Sequence, residues 1–196
     1  MDWDVPTLQD CEVLGRHRGA RMTRLTYEPS LERLRERGFL DAREQPPLPS
    51  RMPQPTDEAP LGLSFFRTAI EDEDLQELSI PRTFFCRSLV SHTNFRGSDL
   101  AESFMCWNDF VRVDFSSADL SRADLRAAMF DPVSFAGADL SVADLRRSDS
   151  AQCDFTDAKM AAARLTVAAG RVLELSSAQR DSIAWQDDEG PEPAGG

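Results

Sequence analysis

Aspartate is the residue type most able to do chemistry in this sequence, because it recurs through the middle of the chain at multiples of five residues. Carboxylates held side by side can work as an acid–base pair or bind a divalent cation. Either role depends on the element that positions them. The recurring set is Asp99, Asp109, Asp114, Asp119, Asp124, Asp139, Asp144, Asp149 and Asp154.

Cysteine and histidine add little support for catalysis or metal binding. The cysteines at positions 11, 86, 106 and 153 show no CxxC spacing, which argues against a zinc finger and against a secreted disulfide scaffold. Only His17 and His92 could serve as histidine general bases. The sequence therefore predicts a protein that is not an enzyme and needs no cofactor or metal.

Charge and hydropathy narrow the classes of partner. The 196 residues contain 34 acidic and 22 basic side chains, for a formal net charge of −12. So acidic a surface repels phosphate, which argues against direct binding of nucleic acid. No apolar run approaches the roughly 20 residues that a membrane-spanning helix needs, and the chain shows no apolar leader. We expect a soluble, cytoplasmic protein with no membrane contact.

The element that must position these side chains is a five-residue repeat. Every fifth residue from Phe65 to Leu165 is apolar, with Ser150 as the exception among twenty-one positions. A small residue sits two positions before nearly every large one, and Asn108 is the departure from that rule. Residues two apart in extended chain face the same side. Each unit therefore points one large and one small side chain inward.

Segments such as 118–122 (ADLSR) and 138–142 (ADLSV) resemble the A(D/N)LXX consensus of the pentapeptide-repeat family. The resemblance covers residues 64–166. It implies an all-β solenoid, a right-handed four-sided β-helix with 20 residues per coil and about five coils. It also implies a structural role for the aspartates, since Asp is the residue that the family prefers at that position.

A 20-residue coil predicts which inward side chains stack on one another, because equivalent positions lie one strand spacing apart. Ser150 should leave its own column under-filled. Cys86 and Cys106 also come within reach of a disulfide, although free thiols are expected in a reducing cytoplasm. The predicted core columns are Phe95, Phe115, Phe135 and Phe155, and Leu100, Leu120, Leu140 and Met160.

The segments outside the repeat divide into four. Residues 1–45 read as a small, partly helical segment that docks on the rod, with helices at 7–14 and at 29–38, the second capped by Ser30 and stopped by Gly38. Residues 46–63 are a Pro-rich linker. Residues 167–186 are predicted to carry a capping helix at 176–185, which seals the last coil or pairs two rods as a homodimer. Residues 187–196 form an acidic tail with the composition of a disordered segment.

An aromatic cluster on one outward face suggests a contact surface. Phe84 and Phe104 fall one coil apart in the same outward column, with Trp107 beside them. Exposed apolar clusters of this kind mark contact with another surface. Two interpretations stay open: the N-terminal segment or linker covers the cluster, or a protein partner binds it.

Three functions follow from the resemblance. The favoured one is a protein-binding scaffold of the immunity type, which neutralises or shields a protein partner such as a toxin; segments 81–85 (PRTFF) and 106–110 (CWNDF) resemble a bacterial subgroup of that kind. The alternative is a DNA mimic that binds DNA gyrase, a topoisomerase, through the acidic column Asp99, Asp119 and Asp139. The third is a structural cap or assembly module. The candidate partner contacts are Phe104, Trp107, Met129, Arg126, Arg146 and Arg147.

The distribution of charge along the chain weakens the DNA-mimic hypothesis but leaves it open. Residues 81–166 carry twelve acidic and ten basic side chains, a net charge of −2, so most of the acidity lies outside the regular repeat. Steering toward a DNA-binding groove calls for a strongly negative face on the rod itself.

Overall fold

A computed structural model describes residues 23–59 and 61–187, and most of these form a four-sided β-solenoid of about six coils. This confirms the predicted fold and adds one coil to the predicted five. Backbone hydrogen bonds join each coil to the next, as in Leu120 N–H to Asp139 O at 2.8 Å. The predicted helix at 7–14 and tail residues 188–196 lie outside the described residues.

The described residues form nine strands that run parallel to their neighbours, and each pairing joins two strands about twenty residues apart in the chain. Residue Val90, for example, faces Phe110, which faces Phe130. Three sheets result: β1 with β3, β2-β4-β5-β6-β7, and β8 with β9. The strands are β1 (Ser64–Phe66), β2 (Ala69–Glu71), β3 (Phe84–Cys86), β4 (Leu89–Ser91), β5 (Asp109–Asp114), β6 (Met129–Ser134), β7 (Cys153–Asp154), β8 (Arg164–Thr166) and β9 (Ala184–Gln186).

The four sides are numbered here by their inward columns. Face 1 contains Phe65 and Phe85, face 2 contains Val90 and Phe110, face 3 carries a phenylalanine column, and face 4 carries a leucine column. Corners recur every five residues, and their corner residue generally adopts a positive φ, such as 53° at Trp107. Glycine meets that demand without a Cβ clash at Gly97 and Gly137, with φ of 67° and 66°.

The interior is filled as the twenty-residue coil predicts. On face 3, the rings of Phe95 and Phe115 stack with centroids 5.3 Å apart, and the next two pairs follow at 5.6 and 5.2 Å. The face 4 column is no more than 2% exposed. Such stacked rings add to the free energy of burial. The full columns are Phe95, Phe115, Phe135 and Phe155, and Leu100, Leu120, Leu140 and Met160.

Asn108, the departure from the small-residue rule, is fully buried and bonded at both ends of its amide. Its Oδ1 accepts from Ser88 N–H at 2.9 Å, and its Nδ2 donates to Phe85 O at 3.2 Å. Because a buried amide is costly only when it lacks hydrogen bonds, Asn108 ties its own coil to the preceding one rather than disrupting the stack.

One helix, α1 (Tyr27–Glu36), lies against the first coil, with Leu31 and Leu34 fully buried in the common core. The predicted N-cap at Ser30 is wrong: Thr26 is the N-cap residue, and the Ser30 hydroxyl donates to Thr26 O and accepts from Ser79 N–H, each at 2.8 Å. Gly38 ends the helix as predicted, with φ 79°.

The Pro-rich segment packs on the rod along face 1. Arg82 donates to Pro49 O at 2.8 Å, and Met52 contacts the cluster of Cys86, Phe104 and Cys106. Proline removes backbone donors, so the segment is held by side-chain bonds and apolar contact rather than by strand pairing.

The predicted C-terminal helix at 176–185 is present but shorter, because its last residues join a strand and the chain continues the solenoid for a sixth coil. Two short helices, α2 (Val167–Val172) and α3 (Ser177–Ser182), replace straight sides, and β9 then pairs with β8 in the twenty-residue register. Ser176 caps α3, as predicted. Trp185 packs over Gly170, which follows the buried Ser150 in the face 2 column.

Candidate functional site

Eight of the nine recurring aspartates, all but Asp109, cap the corners of the solenoid. The Oδ1 atoms of Asp119 and Asp139 each accept the backbone N–H two residues later, at 3.0 Å. This Asx turn satisfies a backbone donor where the chain bends. The carboxylates are therefore engaged by their own backbone, which explains the series without catalysis. The same bond is made by Asp99, Asp114, Asp124, Asp144, Asp149 and Asp154.

Face 4 carries the acidic column that the mimic hypothesis uses. Asp99, Asp119 and Asp139 are bridged in register on successive coils. The column ends in a cation, because Lys159 follows Asp139 in register and its Nζ lies 3.4 Å from the Asp139 carboxylate. Partial burial raises the pKa of Asp139, but hydrogen bonds from Ser141 and Lys159 outweigh it and hold that pKa below the usual range. The carboxylate is charged at neutral pH.

The cysteines within the described residues carry free, protected thiols. Cys86 and Cys106 are buried in the same cluster and are not bonded to each other. Burial raises the pKa of both, and it raises that of Cys153 to about 12. Protonated thiols are poor nucleophiles and poor metal ligands. Within residues 23–59 and 61–187, no cluster of His, Cys, Asp and Glu side chains is arranged to hold a metal ion.

Phe104 does not face a partner, contrary to the prediction, because it is buried. Its side chain is 2% exposed, stacked on Phe84 at 5.3 Å and contacted by Met52. The linker thus covers the inner part of the aromatic cluster. Trp107, 6.5 Å from Phe104 between ring centroids, remains 54% exposed at the corner.

Two of the predicted arginine contacts are held against face 1 by their own aspartates. Arg126 makes a bidentate pair with Asp124 at 2.9 and 2.8 Å, and Arg146 repeats that geometry with Asp144 one coil later. Burial raises the pKa of Asp124, but the bonds from Arg126 outweigh it and lower that pKa overall. A planar guanidinium fixed in this way presents one face outward at little further entropy cost.

The corner between faces 1 and 2 gathers large exposed apolar side chains and arginines. We call it the Arg/Trp edge. Trp107 and Met129 are more than half exposed, Phe66 is 50% exposed and Leu89 is 40% exposed. Corner residues twenty apart stack along this edge, as the bond from Trp107 N–H to Arg126 O shows. The edge consists of Arg67, Arg87, Trp107, Ala127 and Arg147, with Phe66, Leu89 and Met129 beside them.

The structure therefore brings three predicted contacts, Trp107, Met129 and Arg147, to one edge and places Arg126 and Arg146 on the adjoining face. Sequence reasoning missed Phe66, Arg67, Leu89 and Arg87. The signal was present, since positions 67, 87, 107 and 147 share one corner column of a twenty-residue coil.

Comparison with known proteins supports the same fold. Residues 91–128 and 134–166 match the family model described as pentapeptide repeats, in eight copies. No curated protein matches the chain. In the part of the chain that the model describes, no helix has the length and hydropathy to cross a membrane.

Several solved structures resemble the chain. A pentapeptide-repeat protein of the Arabidopsis thaliana thylakoid lumen is 24% identical over 58% of this chain and 72% of its own, with a TM-score of 0.40. QnrB1, a plasmid-mediated fluoroquinolone resistance protein, is 16% identical over 53% of this chain and 57% of its own, with a TM-score of 0.29. A pentapeptide-repeat protein of Nostoc PCC 7120 is 18% identical over 84% of this chain and 100% of its own, with a TM-score of 0.25.

Proposed function

We propose that this chain, a pentapeptide-repeat protein, is a non-catalytic scaffold that binds another protein through the Arg/Trp edge and neutralises or shields that partner, as an immunity protein does. The observation that carries the proposal is the exposure of Trp107 and Met129 on an edge that also presents arginine. Tryptophan and arginine are enriched among residues that dominate binding energy.

The rigidity of the solenoid favours this function. The edge is built on corners that are fixed by hydrogen bonds to both neighbouring coils, so little conformational entropy is lost when a partner binds. The side chains with catalytic potential are otherwise engaged: aspartates cap corners, and the thiols of Cys86 and Cys106 are buried. The feature that supports a function is therefore the exposed Arg/Trp edge, which can bind another protein.

The test compares capture by edge variants with capture by a matched control. Trp107→Asn keeps a residue that tolerates positive φ, and Met129→Thr keeps a strand former. The control is Val142→Thr, another exposed apolar residue, at the corner between faces 4 and 1. A specific partner is retained by wild type and Val142→Thr, and loses about 30-fold in affinity for the edge variants, equivalent to roughly 2 kcal/mol. Equal retention by all four proteins would refute the proposal.

The second candidate is a DNA mimic that binds DNA gyrase through face 4. One observation favours it: Asp99, Asp119 and Asp139 hold three like charges at one strand spacing. The triple change of these residues to Asn removes the charges while leaving each amide oxygen able to accept the corner N–H. A mimic would inhibit gyrase supercoiling or protect the enzyme, and the triple variant would lose that effect. No effect of the wild-type chain at micromolar concentration would dispose of this candidate.

A further inference from the structure

The Pro-rich segment lies on face 1 and is held there as a bound peptide would be. Its residues Pro49 and Pro53 are buried and Met52 is partly buried, whereas Leu48 is 45% exposed. Pro49 and Met52 are three residues apart, which places them on the same side of a polyproline helix with three residues per turn. In the part of the chain that the structure describes, no backbone N–H of residues 46–53 bonds to the solenoid. The segment therefore docks by its side chains and its carbonyl groups.

The surface beneath the segment is apolar and aromatic. Met52 contacts a cluster in which the rings of Phe84 and Phe104 stack with centroids 5.3 Å apart. Pro49 lies against Gly62, where a Cβ would come within 2.5 Å of the proline Cγ, so the missing side chain makes room for the ring. Grooves lined by aromatic side chains are the usual binding sites of Pro-rich segments. We call this surface the proline groove, and it consists of Gly62, Phe84, Cys86, Phe104 and Cys106, with Tyr27 and Arg82 as hydrogen-bond donors.

The two donors bond to carbonyl oxygens of the segment. Arg82 Nη1 donates to Pro49 O at 2.8 Å, and the Tyr27 hydroxyl lies 3.0 Å from Pro46 O and 3.3 Å from Pro47 O. Burial raises the pKa of Tyr27 to about 12, so the hydroxyl keeps the proton that it donates. A polyproline helix forms no internal hydrogen bonds, so its carbonyl oxygens are available to such donors. The groove thus contacts features that any extended Pro-rich chain offers.

We propose that the proline groove binds an extended, Pro-rich segment of another protein, and that residues 46–58 occupy it as an intramolecular competitor. The preferred ligand has a proline, then a long apolar side chain three residues later, then a second proline, as Pro49, Met52 and Pro53 have. This proposal goes beyond the function proposed for the Arg/Trp edge, because it assigns a second, neighbouring surface. The rings of Phe104 in the groove and Trp107 at the edge are 6.5 Å apart, so a partner that displaces the segment contacts both.

Competition within the chain gives the proposal a distinctive sign. The segment is tethered at both ends, so it competes with a free peptide at an effective concentration on the order of millimolar. The apparent affinity for the free peptide is lowered by the fraction of molecules in which the groove is occupied. Changes that weaken the docking of the segment should therefore increase the affinity for a peptide added in trans. A purely structural role of the segment gives no such increase.

The experiment uses the full chain and a fluorescein-labelled peptide of residues 46–58 as the probe, with binding followed by fluorescence anisotropy. The variant Pro49→Ser/Met52→Ser, called the open variant, removes two docked side chains and should bind the probe at least about 10-fold more tightly than the wild type. The matched control Leu48→Ser/Pro55→Ser removes one apolar residue and one proline from exposed positions of the same segment. This control should bind the probe as weakly as the wild type does.

Two further changes test the contacts themselves. A probe that carries Pro49→Ser and Met52→Ser should not bind the open variant. Arg82→Met in the open variant removes the donor to Pro49 O and should weaken probe binding about 10-fold, because hydrogen bonds from charged donors are among the strong ones.

Unchanged probe affinity in an open variant that keeps the wild-type far-UV circular dichroism spectrum would overturn the inference, as would equal binding of the two probes. Should the open variant lose its fold, Met52→Ser alone removes one docked side chain, and the same comparison with the wild type decides. Sedimentation of the unlabelled chains tests the other occupant. A wild-type chain that dimerises with rising concentration, while the open variant stays monomeric, would identify a second copy as the ligand and would overturn the proposal of a different protein.

Discussion

The packing of the sixth coil requires a residue without a side chain at position 170, and this requirement can be tested. A Cβ built on this residue would lie 2.5 Å from Cζ3 and 2.6 Å from Cη2 of Trp185. Cβ atoms in proteins essentially never approach other heavy atoms this closely. Overpacking of this kind costs about 1–3 kcal/mol. Alanine is also the better helix former, by about 1 kcal/mol within α2. Gly170→Ala should therefore lower the free energy of unfolding by up to about 2 kcal/mol in the wild-type chain.

The sign should reverse when the indole is removed. In a Trp185→Leu background the clash is relieved, so Gly170→Ala should stabilise the chain by up to about 1 kcal/mol through helix propensity. The assay is thermal unfolding of the four proteins of this double-mutant cycle, in which 1 kcal/mol corresponds to about 2–4 °C for a chain of this size.

A second background gives the control. Trp107→Leu also removes a tryptophan, but on another coil, so Gly170→Ala should act there as it does in the wild type. An equal rise in melting temperature from Gly170→Ala in all backgrounds would refute the packing of Trp185 over Gly170 and the closure of the sixth coil by it.

Three further predictions concern the core, the corners and the thiols. Phe115→Ala removes a ring stacked on both neighbours and should cost about 3–5 kcal/mol in chemical denaturation, against about 1 kcal/mol or less for the half-exposed Phe66→Ala; similar costs would contradict the stacked interior. Asp139→Ala should cost about 0.5–1.5 kcal/mol and Asp139→Asn less, because the amide still accepts the corner N–H. The folded-state pKa of Asp139 is lowered, so its charge stabilises the chain above the unfolded carboxyl pKa of about 3.9 and the benefit is lost as pH falls below it. Stability of wild type relative to Asp139→Asn, measured by urea unfolding from pH 7 to pH 3, should thus be constant and then decline, and a rise toward acid would show the opposite sign. In a Cys11→Ser chain at pH 8, the thiols should react with a thiol reagent far more slowly when folded than in urea, because burial raises the pKa of Cys153 to about 12; equal rates would show that they are accessible.

The five-residue period was sufficient to predict the interior, because burial leaves a direct trace in the sequence. Phe95, Phe115 and Phe135 had to share a column once the coil length was twenty. The sixth coil escaped prediction because its sides are helical, so the apolar period fails between Leu165 and Trp185. The register itself survives, since those two residues are twenty apart and directly paired. Strand pairing in the twenty-residue register therefore continues in the sixth coil, where the five-residue apolar period no longer marks it.

The covering of Phe104 could not be predicted for a different reason. Residues 46–63 have no repeat and little secondary structure, so nothing in their own order says which side of the rod Met52 meets. That contact is decided by tertiary packing against Cys86, Phe104 and Cys106, which are distant from Met52 in the sequence. The sequence indicated that the aromatic cluster needed a covering, and left open whether this chain or another supplied it.

Positions in this solenoid differ in how much freedom they leave for function. Inward positions are fixed by packing, and many outward positions beside the corners are occupied by the aspartates that bond the turning backbone. Corner residues point away from the core, yet their positive φ favours glycine or asparagine, as Gly97 and Gly137 illustrate at the corner between faces 3 and 4. The Arg/Trp edge places arginine and a half-exposed tryptophan at that same kind of position. Core packing and turn geometry do not call for a half-exposed tryptophan at such a corner, and this is the reason why we propose the Arg/Trp edge as the surface that binds a partner.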